Sequence, residues 1–206
     1  MQHVLLPIFY LPPISWFSVF NQEENTVALE QYEHFPKQTY RNRTHIYGAN
    51  GKLALIVPIH HNGKREMKDI EISYAERWQQ LHWKSIKIAY QGSPYFEFYE
   101  DRLFKIYSEP TQFLMDFNLK SIEIIQQILK SEKNFTLTSE YRKTPETKDY
   151  REAFSAKKEN PAQQEEYYQT FSDKMGFIKD LSIIDLLCNI GPESSTYIKN
   201  QMLVNV

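Results

Sequence analysis

The sequence predicts an α/β protein: a small mixed sheet, made of a parallel N-terminal unit plus a β-hairpin, covered by helices and followed by a helical C-terminal half. Three observations carry this. A short apolar run, a proline turn, a helical piece and a second apolar run follow one another within the first 30 residues; Asn62-Gly63 stands between two β-prone runs; and apolar residues recur at helical spacing from Trp78 onward. A chain of 206 residues is long enough to bury roughly 70% of its unfolded surface around one core. The expectation is a single domain over residues 1–206, with residues 142–164 as an exposed loop inside it.

His3 to Leu6 reads as a buried strand. The Leu-Pro-Pro turn then opens a helix at Pro13, a residue suited to a first helical turn, which runs through Trp16, Phe17 and Phe20, and Thr26 to Leu29 is the second strand. This order is that of a parallel crossover unit, which puts the turn Pro7–Pro13 at the carboxyl end of the first strand, where open α/β sheets hold ligands. Lys52 to His60 and Met67 to Ser73 flank Asn62-Gly63, so a two-residue turn pairs His61 with Lys64 and sets Leu55 opposite Ile70 and Leu53 opposite Ile72. Helices are expected over Glu76–Ala89, Tyr95–Tyr107, Thr111–Lys130, Leu181–Ile190 and about Glu193–Gln201. Gly92-Ser-Pro94 and Gly191-Pro192 supply stops, and Phe135–Ser139 is one more strand. Tyr141 to Gln164 is poor in aliphatics and mixes charges with prolines, the pattern of an exposed loop.

Composition excludes several functions. With 24 Lys+Arg against 26 Asp+Glu the net charge of -2 gives no general field toward nucleic acid or anionic membranes. The first 22 residues carry no Lys, Arg, Asp or Glu, but Pro7, Pro12 and Pro13 interrupt them and no basic segment precedes them, so neither a signal peptide nor membrane insertion is expected. The single cysteine, Cys188, sits in an apolar run and reads as a core thiol in a reducing compartment, so the expected location is the cytoplasm. The six glycines make no phosphate-cradling spacing, and no His-Glu-x-x-His, Cys-x-x-Cys or Gly-x-Ser-x-Gly occurs. Adjacent His60 and His61 would point to opposite faces of a strand, so no metal is expected, and no cofactor can be named.

Two constellations carry chemistry. Lys37-Gln-Thr-Tyr-Arg41-Asn42-Arg43-Thr-His45 gathers three fixed cations, an imidazole and a carboxamide without an intervening acid. Arginine forks grip phosphate or carboxylate, so Lys37, Arg41, Asn42 and Arg43 could hold an anionic or nucleotide-linked substrate; solvated charges pairing with Glu30 and Glu33 are the bland reading. Trp78 and His82, four apart on one helix face, form the second, with His82 as the candidate general base and a half-buried structural histidine as the alternative. The crossover places Tyr10 across one pocket from Asn42, with Cys188 remote.

Several blocks read together resemble one family. Leu6-Pro7-Ile-Phe-Tyr10-Leu-Pro12 with Trp16-Phe17, Tyr40-Arg41-Asn42-Arg43 with Leu55-Ile-Val57-Pro58-Ile59, Trp78 with His82, Tyr90-Gln-Gly-Ser-Pro94-Tyr95-Phe96, and Leu181 to Leu187 with Gly191-Pro192 are similar to the WbqC-like family. The family takes its name from a member encoded with surface-polysaccharide (O-antigen) genes. It usually opens with Gln-Pro and carries an acidic pair near the second strand, where this chain has His3–Leu6 and Glu30-Gln31. The resemblance implies a soluble bacterial protein, a transferase that modifies an activated sugar in surface-polysaccharide biosynthesis, and supplies no catalytic residues. The expected partner is therefore a small anionic or sugar-nucleotide ligand, not nucleic acid. The rival reading is a non-catalytic carbohydrate- or protein-binding module, favoured by the aromatic share of 15% and by the missing catalytic motifs.

Overall fold

The computed structural model describes residues 1–158 and 164–201. It is an α/β fold holding both the parallel unit and a hairpin, as two sheets. Strand β1 (Gln2–Pro7) leads through the wholly buried helix α1 (Ile14–Phe20) to β2 (Asn25–Glu30), which pairs with β1 in parallel, Val4 beside Val27 and Leu6 beside Leu29. Strand β5 (Phe135–Leu137) joins β2 and the two-residue β6 (Lys148–Asp149) joins β1, both in parallel, giving the order β5-β2-β1-β6. Alternation sends Val4, Leu6, Val27 and Leu29 to one face, and all four are at most 1% exposed.

The second sheet is the hairpin of β3 (Arg43–Gly48) and β4 (Gly51–Ile56), paired Thr44 with Leu55 and Ile46 with Leu53. This corrects the pairing expected across Asn62-Gly63. The two-residue turn lies at Ala49-Asn50, closed by Gly51 at φ +97°, a conformation that costs glycine little. The other expected arm is engaged elsewhere: Met67–Asp69 is a 3₁₀ turn whose Met67 and Lys68 N–H groups donate to the carbonyls of Glu33 and Gln31. Pro58 ends β4, and beyond it only Ile59 and Ile72 pair. Leu53, expected inside, is 40% exposed.

The expected helices come where the periodicity puts them, at slightly different bounds: α2 (Trp78–Tyr90), α3 (Phe96–Phe104), α4 (Leu114–Leu129), α6 (Ile183–Ile190) and α7 (Ser194–Asn200); the one-turn α5 (Ser172–Met175), between α4 and α6, is an addition that the sequence reading does not contain. In α4 the buried residues Leu114, Phe117, Ile122, Ile125 and Leu129 form the expected stripe. In α2, Leu81 falls outside its stripe at 63% exposure. Helix α6 is the centre of the C-terminal half, buried from Ile183 to Asn189 and packed on α1, α2, α3, α7 and β3. It carries Cys188, free and buried. Gly191 at φ +54° stops α6 where a Cβ would stand 2.4 Å from the Tyr95 ring, so no other residue fits there without displacing that ring. The stretch expected to be an exposed loop contains β6 and sends Tyr150, Arg151 and Phe154 inside; its residues 159–163 lie outside the described ones.

Candidate functional site at the carboxyl end of the parallel sheet

All four strands of the parallel sheet end on one side, so this edge collects Phe9–Leu11 after β1, Glu30–Glu33 after β2, Thr138 after β5 and Asp149–Arg151 after β6. The turn after β1 is strained. Leu11 has φ +41°, a region that residues with a side chain adopt at a cost of about 1–3 kcal/mol. Its carbonyl is held by two hydroxyls, Thr44 Oγ1 at 2.8 Å and Ser182 Oγ at 3.1 Å, while the Tyr10 N–H donates to the Tyr40 carbonyl at 2.9 Å. Tyr10 and the segment around Arg41–Arg43 therefore sit at the same end of the sheet, one backbone hydrogen bond apart.

From this turn Phe9 and Tyr10 lead into two clusters. The Tyr10 hydroxyl lies 2.9 Å from His82 Nδ1 and 2.5 Å from the Tyr107 hydroxyl. Aromatic rings enclose the group: Trp78 stands edge-on to His82 at 5.1 Å, and Phe117 lies 5.6 Å from Tyr10. Burial pushes the His82 imidazole down to about 4, against the Ile56 carbonyl, which hydrogen-bonds the ring and favours its charged form. At neutral pH the ring therefore holds one N–H. A carbonyl only accepts, so that N–H goes to Ile56, Nδ1 accepts from Tyr10, and the Tyr10 oxygen accepts from Tyr107. Burial, with Tyr107 beside it, raises Tyr10 well above the usual phenol range, so the hydroxyl keeps its proton. Tyr10, Trp78 and His82 are all at most 3% exposed.

The second cluster is ionic. Arg41, 2% exposed, grips Glu33 through two parallel bonds, Nε to Oε1 at 2.7 Å and Nη2 to Oε2 at 2.6 Å, and Nη2 also donates to the Arg151 carbonyl at 3.2 Å. Its guanidinium lies over the Phe9 ring, and its own carbonyl accepts from Asn118 Nδ2 at 2.7 Å. Arg151 pairs with Asp149 at 2.7 Å and stands 3.5 Å from Glu30. Glu30 Oε1 accepts from the Tyr32 N–H and from Thr138 Oγ1, which ties the ends of β2 and β5. The fork of Arg41, expected to be free for an anion, is thus filled by Glu33, one of the two acids named for the bland reading.

The rest of the basic segment divides. Lys37 is exposed in the turn before Tyr40; Asn42 is half-buried and spends its Nδ2 on the Val57 carbonyl at 2.9 Å; Arg43 is half-buried on β3 with its Nε unpartnered. Other members of these clusters, among them Tyr107, Glu33 and Arg151, are not candidate site residues from the sequence. Nothing local marks Tyr107, which meets Tyr10 across 97 positions. The two clusters share a wall, since Phe117 packs on Tyr10 while its neighbour Asn118 holds Arg41.

The fold and this edge define a small α/β protein whose parallel sheet ends in a strained, doubly tethered turn between a buried Tyr–His–Tyr chain and a buried ionic cluster. The WbqC-like protein family model matches residues 9–161, well over half of the chain, and the chain belongs to that family. No curated protein and no solved structure matches it. No helix among the described residues is long and apolar enough to cross a membrane.

Proposed function

We propose that this WbqC-like chain is a group-transfer enzyme acting on a nucleotide-linked sugar or related anionic substrate in surface-polysaccharide biosynthesis, at the carboxyl end of its parallel sheet. The observation that carries the reading is the hydrogen-bonded Tyr10–His82 pair standing one tyrosine away from the basic segment. Substrate anion is held by Lys37, Asn42 and Arg43, with Trp78 as a wall of the site. Arg41 acts as a positioning residue: locked on Glu33 and Asn118, it fixes the backbone that presents Asn42 and Arg43. His82, neutral throughout the physiological range, is the proton acceptor for the amino or hydroxyl group that attacks, through or beside Tyr10. Because burial makes His82 a weak base, the aromatic cage must open on the ligand for this step.

The test is a thermal-shift and turnover panel of sugar nucleotides with acyl and aminoacyl donors, run on the parent and on His82→Gln. A ligand that raises Tm, with turnover lost in His82→Gln and binding retained, is the expected result. Turnover that His82→Gln leaves intact overturns the assignment of the base. The enclosure of His82 is what favours the second reading, a non-catalytic carbohydrate- or protein-binding module. Ligand binding with no turnover on any donor would establish that one instead.

A further inference from the structure

The hairpin carries a second constellation, one not absorbed by the Tyr10–His82 pair. By strand alternation Arg43 and His45 share a face of β3, and the register of the pair puts Lys52 of β4 on that same face. Beside it is a cavity of about 300 Å³ lined by Tyr40, Lys52, Lys158, Phe177, Lys179 and Asp180. Its three lysines come from three separate segments: the hairpin, the chain after Phe154, and the loop before α6. Their convergence is therefore tertiary and not a local charge run, with all three side chains exposed to solvent. Among the described residues none of the three ammonium groups makes an ion pair or side-chain hydrogen bond. Among the described residues the one acid in the lining is Asp180, whose carboxylate accepts from the Ser15 N–H and Oγ on α1, both at 2.9 Å.

Two buried polar atoms on the same hairpin face are also left without a partner, Arg43 Nε and His45 Nδ1. His45 is 6% exposed and packs edge-on against Tyr40, a ring of the cavity wall. A multivalent anion answers three cations that converge on one cavity without an ion pair among the described residues, because clustered like charges focus their field on the ion between them.

We propose that this cavity is a phosphate-binding site, which takes a diphosphate or phosphate ester on Lys52, Lys158 and Lys179 and sets the group the phosphate carries against Phe177. This deepens the anionic-substrate reading above and rests on it for the ligand class, though not for catalysis. His45 serves as a built-in reporter. Burial holds its imidazole down to about 4, with the nearby charges of Lys52 and Arg43 adding to the effect. The charged groups that act on it are Lys52 and Arg43, with the Tyr40 ring edge-on, so an anion joining them favours its charged form.

The experiment titrates inorganic pyrophosphate into the full chain by calorimetry, while NMR follows the His45 ring. We expect saturable binding, weakened tenfold or more in Lys52→Gln/Lys179→Gln and less than twofold when the same two charges are removed at the exposed Lys84 and Lys105. At saturation the His45 titration midpoint moves upward. No binding, binding that survives Lys52→Gln/Lys179→Gln with the fold intact by circular dichroism, or an unmoved His45 would each overturn the site. A sugar nucleotide that binds more tightly than pyrophosphate, with the gain lost in Phe177→Ala, supports Phe177 as the contact for the carried group; equal affinities overturn that part. Pyrophosphate held here without transfer on any donor removes the enzyme reading and leaves the site. Transfer that ignores Lys52→Gln/Lys179→Gln does the reverse.

Discussion

Replacing Asp185 by Asn should stabilise this protein above pH 6. Asp185 is wholly buried in the first turn of α6, and its Oδ2 accepts from the Tyr167 hydroxyl at 2.5 Å and from Gln169 Nε2 at 2.9 Å, while its Oδ1 has no hydrogen-bond partner. Burial pushes the carboxyl up from 3.8 to about 6, against the pull of those bonds. Between pH 4 and 6 the folded chain therefore keeps a proton that the unfolded chain has released. This contribution is complete below about pH 4 and is lost as pH rises through 6, which at 1.36 kcal/mol per tenfold amounts to about 3 kcal/mol. Asn keeps the shape and the oxygen that Tyr167 and Gln169 need, and carries no charge. In urea unfolding at pH 7.5 we expect Asp185→Asn to gain about 1–3 kcal/mol over the parent, and at pH 4.5 to lose that lead. A variant more than about 1 kcal/mol weaker than the parent at pH 7.5 would refute the reasoning, because the ionised carboxylate would then be a wanted partner. The site would feel the change. Gln169 accepts from the Ile178 N–H and donates to the Ile178 carbonyl, both at 2.9 Å, so the Asp185 bond anchors the loop carrying Phe177 and Lys179.

His82 titrates with the opposite sign. Held down to about 4 against an ordinary 6.5, it binds fewer protons folded than unfolded between those values, so its contribution is complete above pH 6.5 and is lost as pH falls toward 4, about 3 kcal/mol in all. In the same urea series the stability of His82→Gln should fall less steeply than the parent's between pH 6.5 and 4.5; an unchanged slope removes the buried neutral histidine. Arg41→Met strands Glu33 in the interior and should cost about 3–5 kcal/mol, while Glu33→Leu/Arg41→Met recovers most of it, as judged by urea midpoints; equal losses in single and double variants would mean the pair is not a closed unit. Gly191→Ala meets the Tyr95 ring at φ +54° and should cost about 2–4 kcal/mol, with Tyr95→Ala in the same chain relieving only the steric share.

How much of this was legible in the sequence depends on whether a residue's partner is near in the chain. The β1–α1–β2 unit was readable because Pro12-Pro13 and two short apolar runs specify it within 30 residues, and α4 because its stripe repeats over four turns. The hairpin was misplaced for an instructive reason. Asn62-Gly63 is a sound local turn, and Gly63 does adopt φ +82°, but Met67 and Lys68 find better acceptors on Glu33 and Gln31 of the segment after β2. Strand β6 escaped notice because a two-residue edge strand among charges and prolines leaves no period to read.

The site divides along the same line. The basic segment and the Trp78–His82 pair are local patterns and stood out, whereas what each cation does was decided by residues no spacing announces. Arg41 looked like a free fork, yet Glu33, eight positions back, closes it once the chain turns at Gln38, whose φ of +61° reverses the backbone between them. Lys52, Lys158 and Lys179 lie far apart in the sequence, and only the packing of the hairpin against the loop before α6 brings them to one cavity. A charge becomes a candidate binding group when the fold withholds its counter-charge. Arg41 does not meet that condition, because Glu33 closes its fork, whereas the lysines of the hairpin cavity make no ion pair among the described residues.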